Sequence, residues 1–159
     1  MLKFLTRFLG LSDEEAELAL KRANEKMFFI ETSKILHKDE TQSGLIQNIK
    51  LAKNAKFHEI VLTDSPKVDE KKFGMSKVKQ NVALFYENDD QIFDLLDEIR
   101  NSKKTISVLY VTKDNKCSLL GENKGLQITE LGHHTIKMEG EENDVFYKVS
   151  VDYLEKFED

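Results

Sequence analysis

The stretch KMFFIETSKIL, residues 26–36, can be read in two ways. If it continues the charged segment before it, Ala16, Leu20, Ala23, Met27 and Ile30 form one stripe with Ala19 beside them. That spacing is the mark of an amphipathic helix. If it breaks away as a strand, Phe28, Phe29 and Ile30 suit a pleated, buried surface. The stripe predicts a helix from residue 13 to about residue 30, in a chain that is helical first and sheet-forming later.

The segments upstream fit that start. Ser12 and Glu15 make an S-x-x-E capping box, in which each side chain satisfies an orphan N–H of the first turn, and Leu11 can staple the helix start. Before it, MLKFLTRFLGL places Leu2, Leu5 and Leu9 at i, i+3 and i+7, with Phe4 and Phe8 alongside. Lys3, Thr6 and Arg7 fall on the other side, and Gly10 can end this short helix. Residues 1–11 are therefore read as an apolar N-terminal helix and residues 12–159 as a single α/β domain. Three roles fit the helix: part of the protein's own core, a docking element for a groove in a partner, or a short membrane-surface anchor.

Downstream, DETQSG reads as a turn, and LIQNIKLAKNAK as a helix with Leu45, Ile49 and Ala52 on one face. HEIVLTD is a short apolar strand ending at DSP, and KFG is loop-like. QNVALFYE is a strand, NDDQIFDLLDEIRNSKK a helix and TISVLYVT a strand. Ile92, Leu95, Leu96 and Ile99 line one face of that helix. Asn88 or Asp89 can cap its start, and Arg100, Lys103 and Lys104 suit its negative end. Two strands around such a helix predict a βαβ unit with a parallel pair. CSLLGENKGLQIT reads as a hairpin around GENKG. ITELGHHTIKM and VFYKVSV read as further antiparallel strands, and YLEKFED as a last helical turn. The expected fold class is α/β, or α+β: N-terminal helices, a central βαβ unit, and C-terminal antiparallel strands on a mixed sheet.

The composition bounds the function. The chain has 159 residues, 40% of them hydrophobic and 33% charged, with one Pro and seven Gly. That is one globular domain, long enough to bury roughly 70% of its unfolded surface. A net charge of −5 disfavours non-specific nucleic-acid binding, which rests on neutralising phosphates. The charge is unevenly placed. Residues 50–79 hold eight Lys against four acids, and residues 139–159 hold eight acids against two Lys, which reads first as two solvated faces of one domain and, in a sharper reading, as a polar docking surface. The one cysteine, Cys117, allows no internal disulfide and fits a reducing compartment. No apolar run is long enough to span a membrane, and no secretory signal is present, so the expected location is the cytoplasm.

Chemistry-bearing residues are few. Open α/β sheets bind ligands at the carboxyl ends of their strands. Those ends would carry Asp64, then Glu87, Asn88, Asp89 and Asp90, then Thr112, Lys113 and Asp114. Such carboxylates suit Mg²⁺, with Lys113 or Lys67 as positive partner. His133 and Thr135, two apart in GHHTIKM, resemble one half of the paired H-x-T motif of the two-histidine phosphoesterases, which implies acid–base work on a cyclic phosphate. The motif's second copy is missing, because His37 is followed by Lys-Asp and His58 by Glu-Ile. No phosphate-cradling glycine loop occurs.

The reading that results is a non-enzymatic intracellular interaction protein, a subunit or adaptor of a larger assembly. It would need no cofactor and would dock on a protein partner or a second copy of itself through Leu2, Phe4, Leu5, Phe8 and Leu9. The first alternative is a metal-dependent phosphate enzyme, a nuclease or phosphoesterase, using Asp64, Glu87, Asp89 and His133 with Mg²⁺. The second is a protein attached weakly to a membrane surface through residues 1–11.

Overall fold

KMFFIE is a strand. In the computed structural model, which describes residues 2–22, 25–40, 46–74, 77–114, 116–143 and 148–150, strand β1 (Lys26–Glu31) carries four consecutive buried residues. Met27 and Phe29 enter one core, while Phe28 and Ile30 enter another. A helix would set Phe28 and Phe29 only about 100° apart and leave one of them near solvent. A central strand buries both because its faces alternate. The preceding helix, α1 (Asp13–Lys21), therefore stops at Arg22, whose backbone is extended (φ −82, ψ 120). Its capping box is formed as the sequence predicts, with Glu15 N–H donating to Ser12 Oγ and Ser12 N–H donating to Glu15 Oε1. Ala23 and the YLEKFED stretch lie outside the described residues.

The remaining strands are β2 (Ile35–Glu40), β3 (Ile46–Leu51), β4 (His58–Ile60), β5 (Lys67–Phe73), β6 (Lys77–Phe85), β7 (Ile106–Val111), β8 (Lys116–Leu120), β9 (Gln127–Leu131), β10 (Thr135–Asn143) and β11 (Lys148–Ser150). A second α-helix, α2 (Asp90–Asn101), stands between β6 and β7, and two short helical turns lie at Phe4–Phe8 and Thr32–Lys34. The strands form a five-stranded sheet in the order β11-β8-β7-β1-β4, a four-stranded sheet in the order β5-β6-β10-β9, and the hairpin β2-β3. Every pairing among the described residues is antiparallel.

This overturns the expected α/β class, with its N-terminal helices, βαβ unit and mixed sheet: the protein is mostly β, with antiparallel sheets and few helices. The strand, helix and strand at residues 77–111 are where the sequence puts them, but β6 and β7 belong to different sheets. α2 seats Leu96 and Ile99 in the core between the sheets, with Ile92 and Leu95 against it. It carries the chain across that core instead of returning it to the same sheet. β7 pairs with β1, setting Phe28 opposite Leu109.

The helix expected over 45–56 is instead β3, paired with β2. Ile49 and Leu51, two residues apart, turn to one core, with Ile35 opposite Leu51. Leu45 is outside the described residues. KFG is no loop at its start, since Phe73 ends the edge strand β5. GENKG is no hairpin turn either, because it joins β8 of one sheet to β9 of the other. Gly125 sits there at φ +80, where a Cβ would come within 2.2 Å of Thr105 Oγ1, so the crossing admits no side chain.

The result is layered. Met27, Phe29, Val82, Leu84, Leu96, Val108 and Ile136 fill the space between the two large sheets. On the other face of the five-stranded sheet, Phe28, Leu109 and Cys117 are covered by Phe4, Leu5, Phe8, Leu9, Ala16 and Ala19 from the N-terminal segment and α1. The outer face of the four-stranded sheet carries no covering layer among the described residues.

Candidate functional site

The N-terminal residues proposed for docking lie in the core. Phe4, Leu5, Phe8 and Leu9 are at most 1% exposed. The Phe4 and Phe8 rings stack with centroids 4.9 Å apart. Backbone bonds fasten the segment: Leu11 N–H donates to Leu5 C=O, and Phe57 N–H to Leu9 C=O at 2.9 Å. Of the five side chains only Leu2 is exposed.

The strand-end acids meet only in part. Residues 61–63 run along one side of Phe85–Glu87, and Tyr86 N–H donates to His134 C=O on the other. Asp64, Glu87, Asp89 and His133 therefore flank one end of β6. Each has a local role or a separate setting. Asp89 caps α2 by accepting from Gln91 N–H and Ile92 N–H. Asp64 accepts from Ser65 N–H. His133 lies in the β9–β10 turn, off any strand, and stacks on Phe93. Among the described residues, no group of three His, Cys, Asp or Glu side chains is placed to hold a metal.

Glu25 was not singled out by sequence. It shares a cleft of about 170 Å³ with Leu62, Thr63, Asp64, Ser65 and Lys113, and a neighbouring one with Arg22, Lys26, Glu59 and Glu87. Burial and the Glu25 carboxylate beside it push the Tyr110 hydroxyl up to about 12, so it stays protonated. Arg22 is ion-paired with Glu59 across the second cleft. Asp64, Ser65 and Lys113 are exposed, so the first cleft is open and shallow.

The outer face of the four-stranded sheet is a continuous polar surface. β6 alternates, with Val78, Gln80, Val82 and Leu84 buried and Lys77, Lys79, Asn81, Ala83 and Phe85 facing outward. Registers extend this face into ordered rows across β5, β6, β10 and β9. One row reads Lys67, Ala83, Lys137, Glu130; the next Asp69, Asn81, Glu139, Gln127; the next Lys71, Lys79, Glu141. The β5–β6 half thus carries Lys67, Lys71, Lys77 and Lys79 against Asp69. The β10–β9 half carries Glu130, Glu139 and Glu141 against Lys137. Lys71 lies directly opposite Lys79, and like charges so placed repel. Lys79 leans to Glu139 at 3.6 Å, and Lys137 to Glu130 at 3.2 Å. Phe73 and Phe85 are exposed at 47% and 42%, large values for aromatic rings on a sheet. Lys67, Lys71, Lys77 and Lys79 of the basic stretch and Glu139 and Glu141 of the acidic stretch lie on this face. The rows needed the registers.

Comparison with protein-family models, with curated proteins and with solved structures gives no match to this chain. No helix among the described residues is long and apolar enough to cross a membrane.

Proposed function

We propose that this protein is a non-enzymatic interaction module of the cytoplasm, a subunit of a larger assembly. Its docking surface is the outer face of the four-stranded sheet rather than the N-terminal helix. The observation that supports this most is the sorting of charge on that face, with lysines on β5 and β6 and glutamates on β10 and β9. Complementary charge steers association and selects partners. The opposed Lys71 and Lys79 cost the free fold some stability, and an acidic partner surface would relieve it.

Site-specific photo-crosslinking tests the reading. A photoreactive residue at Ala83, in the middle of the face, should give adducts in native cells that are lost when Lys67 and Lys79 are reversed to Glu. The same probe at Leu36, on β2, is the control. Adducts that ignore the reversal, or none from any position on the face, would overturn the proposal.

A second reading draws on Glu25, whose Oε2 is buried with no hydrogen-bond partner among the described residues. It makes the Glu25–Asp64–Lys113 cleft a small-ligand site. This replaces the set of Asp64, Glu87, Asp89 and His133 as the place to test metal-dependent phosphate chemistry. Bound Mg²⁺ or nucleotide raises the unfolding temperature by mass action, and no shift with either counts against the reading.

A further inference from the structure

We infer that the partner on this face is a second copy of the same chain, packed face to face about a two-fold axis that runs parallel to the strands between β6 and β10. The inference rests on the reading of that face as the docking surface. Two-fold pairing lays the same patch of each copy on its mate, so the patch has to be complementary to itself. The axis reverses the strand order, placing β9 and β10 of one copy over β5 and β6 of the other.

The rows then match without a clash of like charges. Lys67 lies over the partner copy's Glu130, and Ala83 over its Lys137. In the next row Asp69 lies over Gln127 and Asn81 over Glu139. In the third, Lys79 lies over Glu141. The alternative in-plane axis, perpendicular to the strands, would lay β5 on β5 and β6 on β6, lysine strip on lysine strip. Charge therefore selects one of the two arrangements. The twist of the sheet keeps the closest approach near the axis, at Lys79, Asn81, Glu139 and Glu141. The interface is polar and its close contact is confined to the strands near the axis, so the expected dimer is weak and salt-sensitive.

The test is sedimentation equilibrium of the full chain from micromolar to millimolar concentration, at low and high salt. The expected result is a mass that rises from monomer toward dimer at low salt and falls back when salt is added. Two double variants sharpen it: Lys67→Glu with Lys79→Glu, and Glu130→Lys with Glu141→Lys. Each alone sets like charges face to face and should weaken association at least about tenfold. Mixed in equal amounts they should pair as a heterodimer of near wild-type strength, because every contact is complementary again. That rescue cannot come from misfolded chains. A wild type that stays monomeric at millimolar concentration and low salt overturns the inference, and so does association that neither variant weakens. Should the wild type be monomeric while the Ala83 probe still gives charge-dependent adducts, the second copy is excluded and the interaction reading stands.

Discussion

Among the described residues, the five-stranded sheet is covered on both faces and the four-stranded sheet on one. In the first, Met27 and Phe29 meet the four-stranded sheet while Phe28 and Ile30 meet the N-terminal layer. In the second, Val82 and Leu84 face inward while Lys79, Asn81 and Ala83 face water. Among the described residues the first sheet has both faces covered. The residues that look adhesive in the sequence, Phe4, Leu5, Phe8 and Leu9, are what closes it. A sheet buried on both sides needs apolar cover, and a chain terminus rich in Leu and Phe supplies it.

If that contrast is right, substitutions in the two regions differ most in stability. Phe8→Ala should cost about 3–5 kcal/mol, because it opens a cavity in a closed core. Leu2→Ala should stay within about 0.5 kcal/mol. Denaturant midpoints measure both, and equal costs would break the contrast.

Gly125→Ala comes next. It places a Cβ at φ +80 within 2.2 Å of Thr105 Oγ1 and 2.4 Å of Thr32 Oγ1, where the chain crosses between the sheets. The expected loss is about 2 kcal/mol or more. Gly74→Ala, at φ +57 with open space around it, should lose only about 1 kcal/mol. Asp89→Ala should lose about 1 kcal/mol with the cap of α2, and similar thermal shifts with and without Mg²⁺ would separate capping from metal binding.

The smallest effects are those of pH. Burial, and then the charge of Lys56, hold the His58 imidazole below its ordinary 6.5. The unfolded chain then takes up a proton near 6.5 that the folded chain refuses, so stability present above 6.5 declines as pH falls below it. Glu15 lies below its ordinary 4.5, chiefly through its hydrogen bond from Lys56 Nζ at 2.8 Å. That contribution is present above 4.5 and is lost as pH falls through the lower folded value. The Glu15–Lys56 pair is about 40% exposed, so it is worth a fraction of a kcal/mol. Unfolding midpoints of Glu15→Gln and His58→Gln followed into acid should lose the lower and the upper window respectively. In the core beneath the N-terminal layer, burial pushes the Cys117 thiol up to about 12. It should resist alkylation in the native state and react at once on unfolding.

Part of this was legible in the sequence. Pattern placed α2 with its Asp89 cap, the capping box of α1, and the strands β6 and β7. It misled at β3, read as a helix, and at β1, where both faces are buried. Met27 and Ile30 extend a helical stripe, yet Phe28 and Phe29 side by side need two cores, and only a strand reaches both. β5 was missed for the opposite reason, since KVDEKKF at a sheet edge is exposed along most of its length and shows no apolar alternation. The parallel βαβ expectation failed because periodicity finds strands without saying which sheet holds them. The rows of the outer face depend on pairing across 70 residues of chain, which local pattern does not encode.

Amide hydrogen exchange of the intact chain, read over residues 4–11 and at Phe57, tests most directly the claim that the apolar terminus is core and the sheet face is the free surface. The account predicts strong protection of the Leu11 and Phe57 amides, which donate to Leu5 and Leu9. That protection should be the same at low and high protein concentration. Exchange of these amides at the rate of an unfolded peptide, or protection that appears only as concentration rises, would contradict it and return the docking role to Leu2, Phe4, Leu5, Phe8 and Leu9.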